Sequence, residues 1–224
     1  MTEKFPDNTR KQAAQQIRNA RLKERTVHDY YNLNRTGPQY IKDLGGVKNF
    51  FSYVKGLSSN RVLDIGAGTT HGIRDLSLSP SLNAGAQFEA TVLRPNLDIE
   101  MYLGEEHTHI TSAEELRGIP DASMGGVLSV YSLTYSVAPE LVVKSIDRVL
   151  VPGGAVKISS GDATIWQLHE HLKQIGYDVA DEQAWGTDMV VLGIKPGGAN
   201  AVHAKELLKA DWETWQTQVN ELFK

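Results

Sequence analysis

The segment Val62–Thr70 contains the residues whose types and spacing best fit ligand chemistry. It reads Val-Leu-Asp-Ile-Gly-Ala-Gly-Thr-Thr, so a short apolar run delivers Asp64 and then the turn Gly66-Ala67-Gly68 to one place. Glycine has no Cβ, which lets the backbone at Gly66 and Gly68 approach a ligand closely. The Asp64 carboxylate can accept hydrogen bonds from an ammonium or hydroxyl group. The segment therefore indicates a small-molecule site, although two glycines alone also fit a plain tight turn.

Two common nucleotide-binding patterns are missing from this segment. A nicotinamide fingerprint requires Gly-x-Gly-x-x-Gly, but the sixth position here is His71 and the glycine follows at 72. A phosphate-gripping Gly-Lys-Ser/Thr is also missing from the sequence. Dehydrogenase and nucleotide hydrolase functions are therefore disfavoured.

The elements that must position this segment alternate between strands and helices. We predict strands over 61–65, 87–93, 107–111, 127–131, 155–159, 177–180 and 188–195, with helices near 70–79, 97–103, 138–150 and 165–175. This alternation predicts an α/β fold with a mostly parallel sheet and helices on both faces. The last two strands have no helix between them, so we predict a final hairpin with an antiparallel last strand. Ligands of such sheets bind at the carboxyl edge of the strands.

Helical patterns flank the predicted sheet on both sides. A polar helix is predicted over 9–27, and apolar residues recur at helical spacing from Tyr40 to Val54 despite two glycines at 45 and 46. The stripe at the other end comprises Leu208, Trp212, Trp215, Val219 and Leu222. We predict an N-terminal helical cap over 1–57, a ligand-binding domain over 58–197, and a C-terminal helix within 198–224. That helix either packs on the core or forms a dimer contact.

Charge is uneven along the chain of 224 residues, which has a net charge of −4. Residues 1–60 carry +6, and the remaining residues carry −10. A basic segment can bind an anionic partner, but the absence of interleaved aromatic residues favours a solvated helix face. The chain has no cysteine, which excludes disulfides and thiolate metal sites. With neither an apolar run of about 20 residues nor a signal-peptide layout, we expect no membrane insertion and a cytoplasmic location.

The order of several motifs resembles a known family. The segment 147–154 reads Asp-Arg-Val-Leu-Val-Pro-Gly-Gly; upstream lie Ser112-Ala113, Ile-Pro-Asp-Ala-Ser at 119–123, and a strand ending at Tyr131. This arrangement over roughly 61–195 resembles the class I S-adenosylmethionine (SAM)-dependent methyltransferases with type 11-like motifs. The resemblance implies a seven-stranded, Rossmann-like sheet with SAM across its carboxyl edge. It also implies methyl transfer, for which we expect a small-molecule acceptor, no nucleic acid, and a monomer or homodimer.

The resemblance assigns roles to residues by position. The turn from Gly66 to Gly68 would face the methionine part of SAM, with Asp64 orienting it, and Ser112 and Ala113 would lie beside the adenine. The remaining positions that the resemblance places at the cofactor are Ala67, Thr70, Arg94 and Ser129. Tyr131 and Tyr135 follow the fourth strand and would bound or orient the acceptor. His71 lies at the start of the first helix and could act as a base if the acceptor needs deprotonation.

The cofactor pocket departs from the family pattern where acids are usual. Arg94 stands where an acid usually binds the ribose hydroxyls, Ser112 where an Asp usually meets the adenine amine, and Met124-Gly125 where an aromatic–Asp pair is usual. A guanidinium has no acceptor for two hydroxyls, so we expect Arg94 to weaken SAM binding. Alternatively, Arg94 turns to solvent and either Glu89 or a backbone carbonyl takes the ribose.

Three function hypotheses remain open on the sequence. The first is a small-molecule methyltransferase whose N-terminal helices, including Tyr30, Tyr31 and Tyr40, close over the site. The missing acids support the second, a methyltransferase-like fold that binds a ligand or partner without methyl transfer. The third is an RNA or protein methyltransferase that grips its substrate with the basic N-terminal segment.

Two histidine pairs offer a metal-binding alternative. His107 and His109 share a strand face beside two glutamates at 105 and 106, whereas His169 and His171 lie two apart on a helix and point in different directions. Surface polar residues explain both pairs, so we predict no metal site.

Overall fold

Seven strands form one sheet in the computed structural model, which describes Gln16 and residues 35–68, 71–93, 96–184, 188–199 and 202–222. The strands are β1 (Arg61–Asp64), β2 (Gln87–Val92), β3 (Thr108–Ile110), β4 (Met124–Val130), β5 (Leu150–Ser160), β6 (Asp178–Gln183) and β7 (Met189–Ile194). Their order is β3-β2-β1-β4-β5-β7-β6, and β7 is antiparallel to both neighbours. The predicted seven-stranded sheet with an antiparallel last strand is confirmed.

Helices cover both faces of this sheet. They are α1 (Gly37–Asp43), α2 (Lys48–Lys55), α3 (His71–Ser77), α4 (Pro80–Asn83), α5 (Leu97–Leu103), α6 (Pro139–Val149), α7 (Thr164–Gln174) and α8 (Ala204–Glu221). Two short 3-10 helices span Glu105–His107 and Ser132–Tyr135. Since successive strand residues point to opposite faces, Val62 of β1 belongs to the core beneath α1, α2 and α8, and Leu63 to the core beneath α6 and α7.

The glycine pair at 45 and 46 divides the cap into two helices. The prediction of one helical run from Tyr40 to Val54 was wrong at this point, because Gly45 and Gly46 have positive φ angles of 63° and 96°. A Cβ on Gly45 would lie 2.1 Å from a ring atom of Trp212, so the chain turns where α8 leaves no room for a side chain. The polar helix predicted over 9–27 lies outside the described residues apart from Gln16.

A second difference concerns the start of β5. The sequence predicted a tight turn at 152–154 before a strand over 155–159, but β5 already begins at Leu150. The residues of the predicted turn are part of β5. They form an irregularity in the strand, because the register with β4 shifts between Met124 and Gly126. Gly153 has a φ of 76°, and a Cβ there would lie 2.7 Å from the Gly198 backbone. This close approach requires glycine.

A buried ion pair joins α8 to the sheet and to the cap. The Lys157 ammonium on β5 donates to the Asp211 carboxylate at 2.7 Å and to the Gly46 carbonyl at 2.8 Å, and both charged side chains are fully buried. Asp211 also accepts from the backbone N–H groups of Asn49 at 2.7 Å and Phe50 at 3.2 Å. These N–H groups belong to the first turn of α2, where no helical partner exists for them. The Asp211 carboxylate of α8 thus binds the Lys157 side chain of β5 and caps α2.

Gln218, two turns further along α8, extends the same cap. Its side-chain oxygen accepts from the N–H groups of Val47 at 2.7 Å and Lys48 at 3.1 Å. The two aromatic anchors Trp212 and Trp215 are partly buried against the core of this face. The C-terminal helix therefore packs on the domain in this structure.

No helix among the described residues is both long and apolar enough to cross a lipid bilayer.

Removing the Asp211 carboxylate is expected to destabilise the fold strongly. Asp211→Ala leaves the Lys157 ammonium buried without its partner and frees the first N–H groups of α2, which should lower the free energy of unfolding by about 3–5 kcal/mol. Lys209→Met is the control, because it breaks a pair with Glu213 in which both side chains are more than half exposed. That variant should cost less than about 1 kcal/mol. Urea unfolding followed by circular dichroism measures both.

Equal losses in the two variants would contradict this account of the buried pair. If Asp211→Ala does not fold, Lys157→Met supplies the comparison, since it keeps the N–H donors on Asp211 and removes only the cation.

Candidate functional site

The glycine turn lies at the carboxyl edge of the sheet, between the ends of β2 and β4. Gly66 and Gly68 have positive φ angles of 68° and 62°, a conformation that favours glycine. Thr91 of β2 holds the turn from one side. Its hydroxyl accepts from the Gly66 N–H at 2.9 Å, and its carbonyl accepts from the Ala67 N–H at 3.3 Å. Sequence reasoning missed Thr91, because a buried threonine within a strand carries no distinctive signal.

Ser132, just after β4, holds the turn from the other side. Its hydroxyl donates to the Ile65 carbonyl at 2.5 Å and contacts the Ser129 hydroxyl at 2.6 Å. A Cβ on Gly66 would lie 2.5 Å from the Ser132 Cβ, so close packing requires glycine here for a second reason. Ser129 was predicted to lie at the cofactor. It is instead fully buried beneath Ser132 and acts on the turn only through it.

Asn96 connects the turn to α5. Its side-chain N–H donates to the Gly68 carbonyl at 3.0 Å, while its side-chain oxygen accepts from the Ile99 N–H at 3.3 Å and caps the helix. The turn is therefore fixed from β2, from β4 and from α5. Such fixing from three elements is what a preorganised binding loop requires.

Asp64 lies at the base of the turn and is shielded by the cap. It is fully buried, and its Oδ2 accepts from the Tyr40 hydroxyl at 2.8 Å. Its Oδ1 is buried with no hydrogen-bond partner among the described residues. Burial raises the pKa of Asp64 to about 7, against the opposing effect of the Tyr40 hydrogen bond. The sequence predicted an available carboxylate, and the structure shows one covered by a tyrosine.

The Tyr40 ring reaches Asp64 because the second residue of α3 is glycine. A Cβ on Gly72 would lie 2.3 Å from the Tyr40 ring. At the start of α1, the Gly37 N–H donates to the Asp75 carboxylate of α3 at 2.8 Å. Helix α1 is thus docked on α3, with Tyr40 pointing at the sheet edge. Tyr40 was predicted to belong to a closing cap, but its contact with Asp64 was not foreseen.

Tyr131 is the centre of a second polar group at the same edge. It follows β4 with a φ of 58°, in the left-handed region that aromatic residues rarely adopt. Its hydroxyl donates to Asp188 at 2.6 Å, and the Arg35 guanidinium stacks 4.3 Å from its ring centre. Arg35 in turn donates to Asp43 at 2.9 Å. We call Arg35, Asp43, Tyr131 and Asp188 the Tyr131 cluster.

Burial and the neighbouring Asp188 carboxylate raise the pKa of the Tyr131 phenol. Tyr131 therefore keeps its proton at neutral pH and can donate a hydrogen bond, but it is a poor base. Tyr135, the other predicted acceptor-side residue, ends the 3-10 helix that follows Tyr131 and is half-buried.

The remaining predicted site residues are described unevenly. Ser112 and Ala113 follow β3 and are half-buried, and the Ser112 carbonyl accepts from the Leu116 N–H at 2.9 Å. His71 starts α3, but its side chain is not described. Thr70 and Arg94 lie outside the described residues, so their predicted roles remain predictions.

Glu89 is not available for a ribose. The alternative in which Glu89 replaces the usual acid was wrong, because the side chain lies in mid-strand, buried, between Arg61 and His109. His109 Nε2 lies 2.7 Å from its carboxylate. Burial alone would raise the pKa of Glu89, but the hydrogen bonds from His109 and Arg61 outweigh it and lower the pKa.

His109 is thus engaged by Glu89, and His107 lies 3.8 Å from Glu106. Within the described ranges, no group of three or more His, Cys, Asp or Glu side chains could hold a metal ion.

The buried Asp64 carboxyl predicts a specific pH dependence of stability. The folded chain keeps this proton up to about pH 7, whereas the unfolded chain releases it near pH 4. The free energy of unfolding therefore falls as pH rises between these values. Asp64→Asn has no such proton, so its stability relative to wild type should rise across this window by at most about 1.4 kcal/mol per pH unit.

Chemical unfolding at a series of pH values measures this difference. Tyr40→Phe removes a hydrogen bond that lowers the pKa of Asp64. In that variant, the fall in the free energy of unfolding should therefore continue to higher pH. Parallel stability curves for wild type and Asp64→Asn would contradict the burial of an ionisable carboxyl at this position.

Solved structures show the same fold. Phosphoethanolamine N-methyltransferase 2 of Haemonchus contortus, in complex with S-adenosylhomocysteine (SAH) and phosphomonomethylethanolamine, superposes with a TM-score of 0.55 at 17% identity, covering 79% of this chain and 60% of that chain. A putative methyltransferase of Haloferax volcanii, in complex with the Trm112 activator, gives a TM-score of 0.51 at 15% identity and coverages of 71% and 92%.

The fold does not decide the reaction. The [4+2]-cyclase SpnF also superposes with a TM-score of 0.51 at 15% identity, covering 67% of this chain and 81% of that chain. Identities this low show the shared architecture alone.

Sequence comparison adds the family. No curated protein sequence matches the chain. Residues 63–158, from within β1 to within β5, match the methyltransferase domain family. This stretch includes the glycine turn and the segment that carries Tyr131. Residues 63–158 are thus similar to a methyltransferase domain, and the chain shares its fold with solved methyltransferase structures.

Proposed function

We propose that the chain transfers a methyl group from SAM to a small-molecule acceptor. One observation carries this proposal: the glycine turn after β1 packs directly against Ser132, the residue that follows Tyr131. Strands β1 and β4 are neighbours, with Asp64 paired to Leu128. A ligand lying on the glycine turn would therefore end beside the Tyr131 cluster, where an acceptor could meet it.

The residues at the turn fit the cofactor that the family implies. Gly66 and Gly68 present backbone without a Cβ, and the orphaned Oδ1 of Asp64 is an acceptor suited to an ammonium group. Gly66, Gly68 and Asp64 would hold the amino-acid part, and Ser112 and Ala113 the adenine. When bound, SAM supplies a methyl group already activated by a sulfonium.

The chain's own share of the reaction is then positioning and the exclusion of water. Tyr40 covers Asp64 and shields it from solvent. Thr91, Ser132 and Asn96 fix the turn, so its backbone need not reorganise when a ligand arrives. The protonated phenol of Tyr131 can donate one hydrogen bond to a ligand or retain it on Asp188.

A second candidate, ligand binding without methyl transfer, is favoured by one observation. Asp64 has no exposed surface and Tyr40 holds one of its two carboxylate oxygens, so an ammonium group reaches the carboxylate only if the atoms that cover it move. The RNA or protein methyltransferase hypothesis depends on the basic residues before Arg35, which lie outside the described residues apart from Gln16.

Binding of SAH should depend on glycine at position 66. Gly66→Ala places a Cβ against Ser132 and strains a positive φ, so we expect it to weaken SAH binding at least about tenfold, equivalent to 1.4 kcal/mol. Gly85→Ala is the matched control, because Gly85 also has a positive φ of 81° but has open space around its Cβ position. Calorimetric titration should show unchanged SAH affinity in that variant.

Equal SAH affinities in wild type, Gly66→Ala and Gly85→Ala would contradict a cofactor site at this turn. Activity is tested separately, by mass spectrometric detection of SAH formed from SAM in the presence of amine, hydroxyl and carboxylate acceptors. SAH binding with no turnover on any acceptor would favour ligand binding without methyl transfer.

A further inference from the structure

We propose that the Tyr131 cluster is a cation-binding subsite for an acceptor with an ammonium group, and that Arg35 of this chain occupies it. The subsite consists of the Tyr131 ring face and the nearby carboxylates of Asp43 and Asp188. Its existence follows from the contacts below. Only its assignment to the methyl acceptor rests on the proposed function.

A cation already lies on the Tyr131 ring. The Arg35 guanidinium carbon is 4.3 Å from the centre of Tyr131, well within the range of about 6 Å for a cation–π contact. The Arg35 side chain is only 24% exposed, so the contact is partly desolvated and correspondingly stronger. An aromatic face that binds a guanidinium also suits an ammonium group.

Two carboxylates lie near the Tyr131 ring. Asp43 lies 2.9 Å from Arg35 and is 18% exposed, while Asp188 binds the Tyr131 hydroxyl at 2.6 Å. Lys42, exposed on α1, is the other basic group whose field reaches Asp43. Without Arg35, the cluster would present an aromatic face and two carboxylates to an entering ligand. Such surroundings attract a cation and repel an anion.

The backbone at Tyr131 is strained in the conformation that places the ring at this edge of the sheet. Tyr131 adopts a left-handed φ that is unfavourable for a bulky residue. Gly161 leaves room for Asp188, since a Cβ there would lie 2.2 Å from the Asp188 Oδ1. The Ser159 hydroxyl, 1% exposed, lies within hydrogen-bonding reach of the Tyr131 phenol.

A second stacked arginine shows what an ordinary surface pair looks like. Arg74 lies 5.4 Å from the ring centre of Tyr102, which is 49% exposed, and pairs with its sequence neighbour Asp75. This pair has a longer contact, a more exposed ring and a single carboxylate. Arg74 is therefore a matched control for Arg35.

Tetramethylammonium is the probe, titrated into the full chain by calorimetry at constant ionic strength. Removing the resident guanidinium in Arg35→Ala should strengthen tetramethylammonium binding about 3- to 30-fold, the range expected from the energy of one cation–π contact. Arg74→Ala should leave the affinity at the wild-type value. Adding Tyr131→Leu to Arg35→Ala should abolish the gain, whereas adding Tyr131→Phe, which keeps the aromatic face, should preserve most of it.

Three results would overturn the proposal: no gain in Arg35→Ala, an equal gain in Arg74→Ala, or a gain that survives Tyr131→Leu. A parallel titration with acetate tests the opposite charge, and loss of acetate binding in Arg35→Ala would make Arg35 itself the ligand-binding group. If Arg35→Ala does not fold, Arg35→Gln provides the same comparison.

Titration of SAH into the same variants separates this proposal from the proposed function. Tetramethylammonium binding without SAH binding would retain the cation subsite and remove its role in methyl transfer. SAH binding without tetramethylammonium binding would remove the cation subsite alone.

Discussion

The buried ion pair between Asp211 and Lys157 is the interaction on which the position of the cap against the sheet depends. The Asp211 carboxylate pairs with Lys157 in the middle of the sheet and caps the first turn of α2, and both charges are completely buried. Burying two charges is unfavourable unless their hydrogen-bonding capacity is satisfied. Here the ammonium also reaches the Gly46 carbonyl, and the carboxylate receives backbone N–H groups as well. The cap is thereby fixed to the sheet in one orientation.

This orientation determines what the cap does at the carboxyl edge. Helix α1 carries Tyr40 onto Asp64 at the base of the glycine turn, and the residue just before its N-cap, Arg35, lies on the ring of Tyr131. The cap therefore contributes one group to the cofactor side and one to the acceptor side. Its contact with Asp64 also covers that carboxyl group. Burial raises the pKa of Asp64 to about 7. The protonation of the binding turn and the access to the aromatic ring both depend on the same short helix.

Sequence patterns predicted the sheet and the location of the site, because both depend on local signals. Strand β1 ending in Asp64 and two glycines, and helix α6 beginning at Pro139, follow directly from residue order. The division of the cap at Gly45 could not be predicted, since it reflects the distant ring of Trp212. Thr91, Ser132 and Asp188 were missed for the same reason: their roles come from contacts between strands that only the folded sheet brings together. The pairing of Glu89 with Arg61 and His109 is likewise a property of adjacent strands.

The most direct test of this account is the number of protons exchanged when SAH binds near pH 7. Calorimetric titrations in buffers of different ionisation enthalpy measure that number. If the ligand's ammonium group lies beside Asp64, it favours the carboxylate form and lowers the pKa of this group, so binding should release part of a proton. The release should be absent in Asp64→Asn. SAH binding with no proton exchange in the wild-type chain, or with the same exchange in both proteins, would contradict the central place of Asp64 in the site.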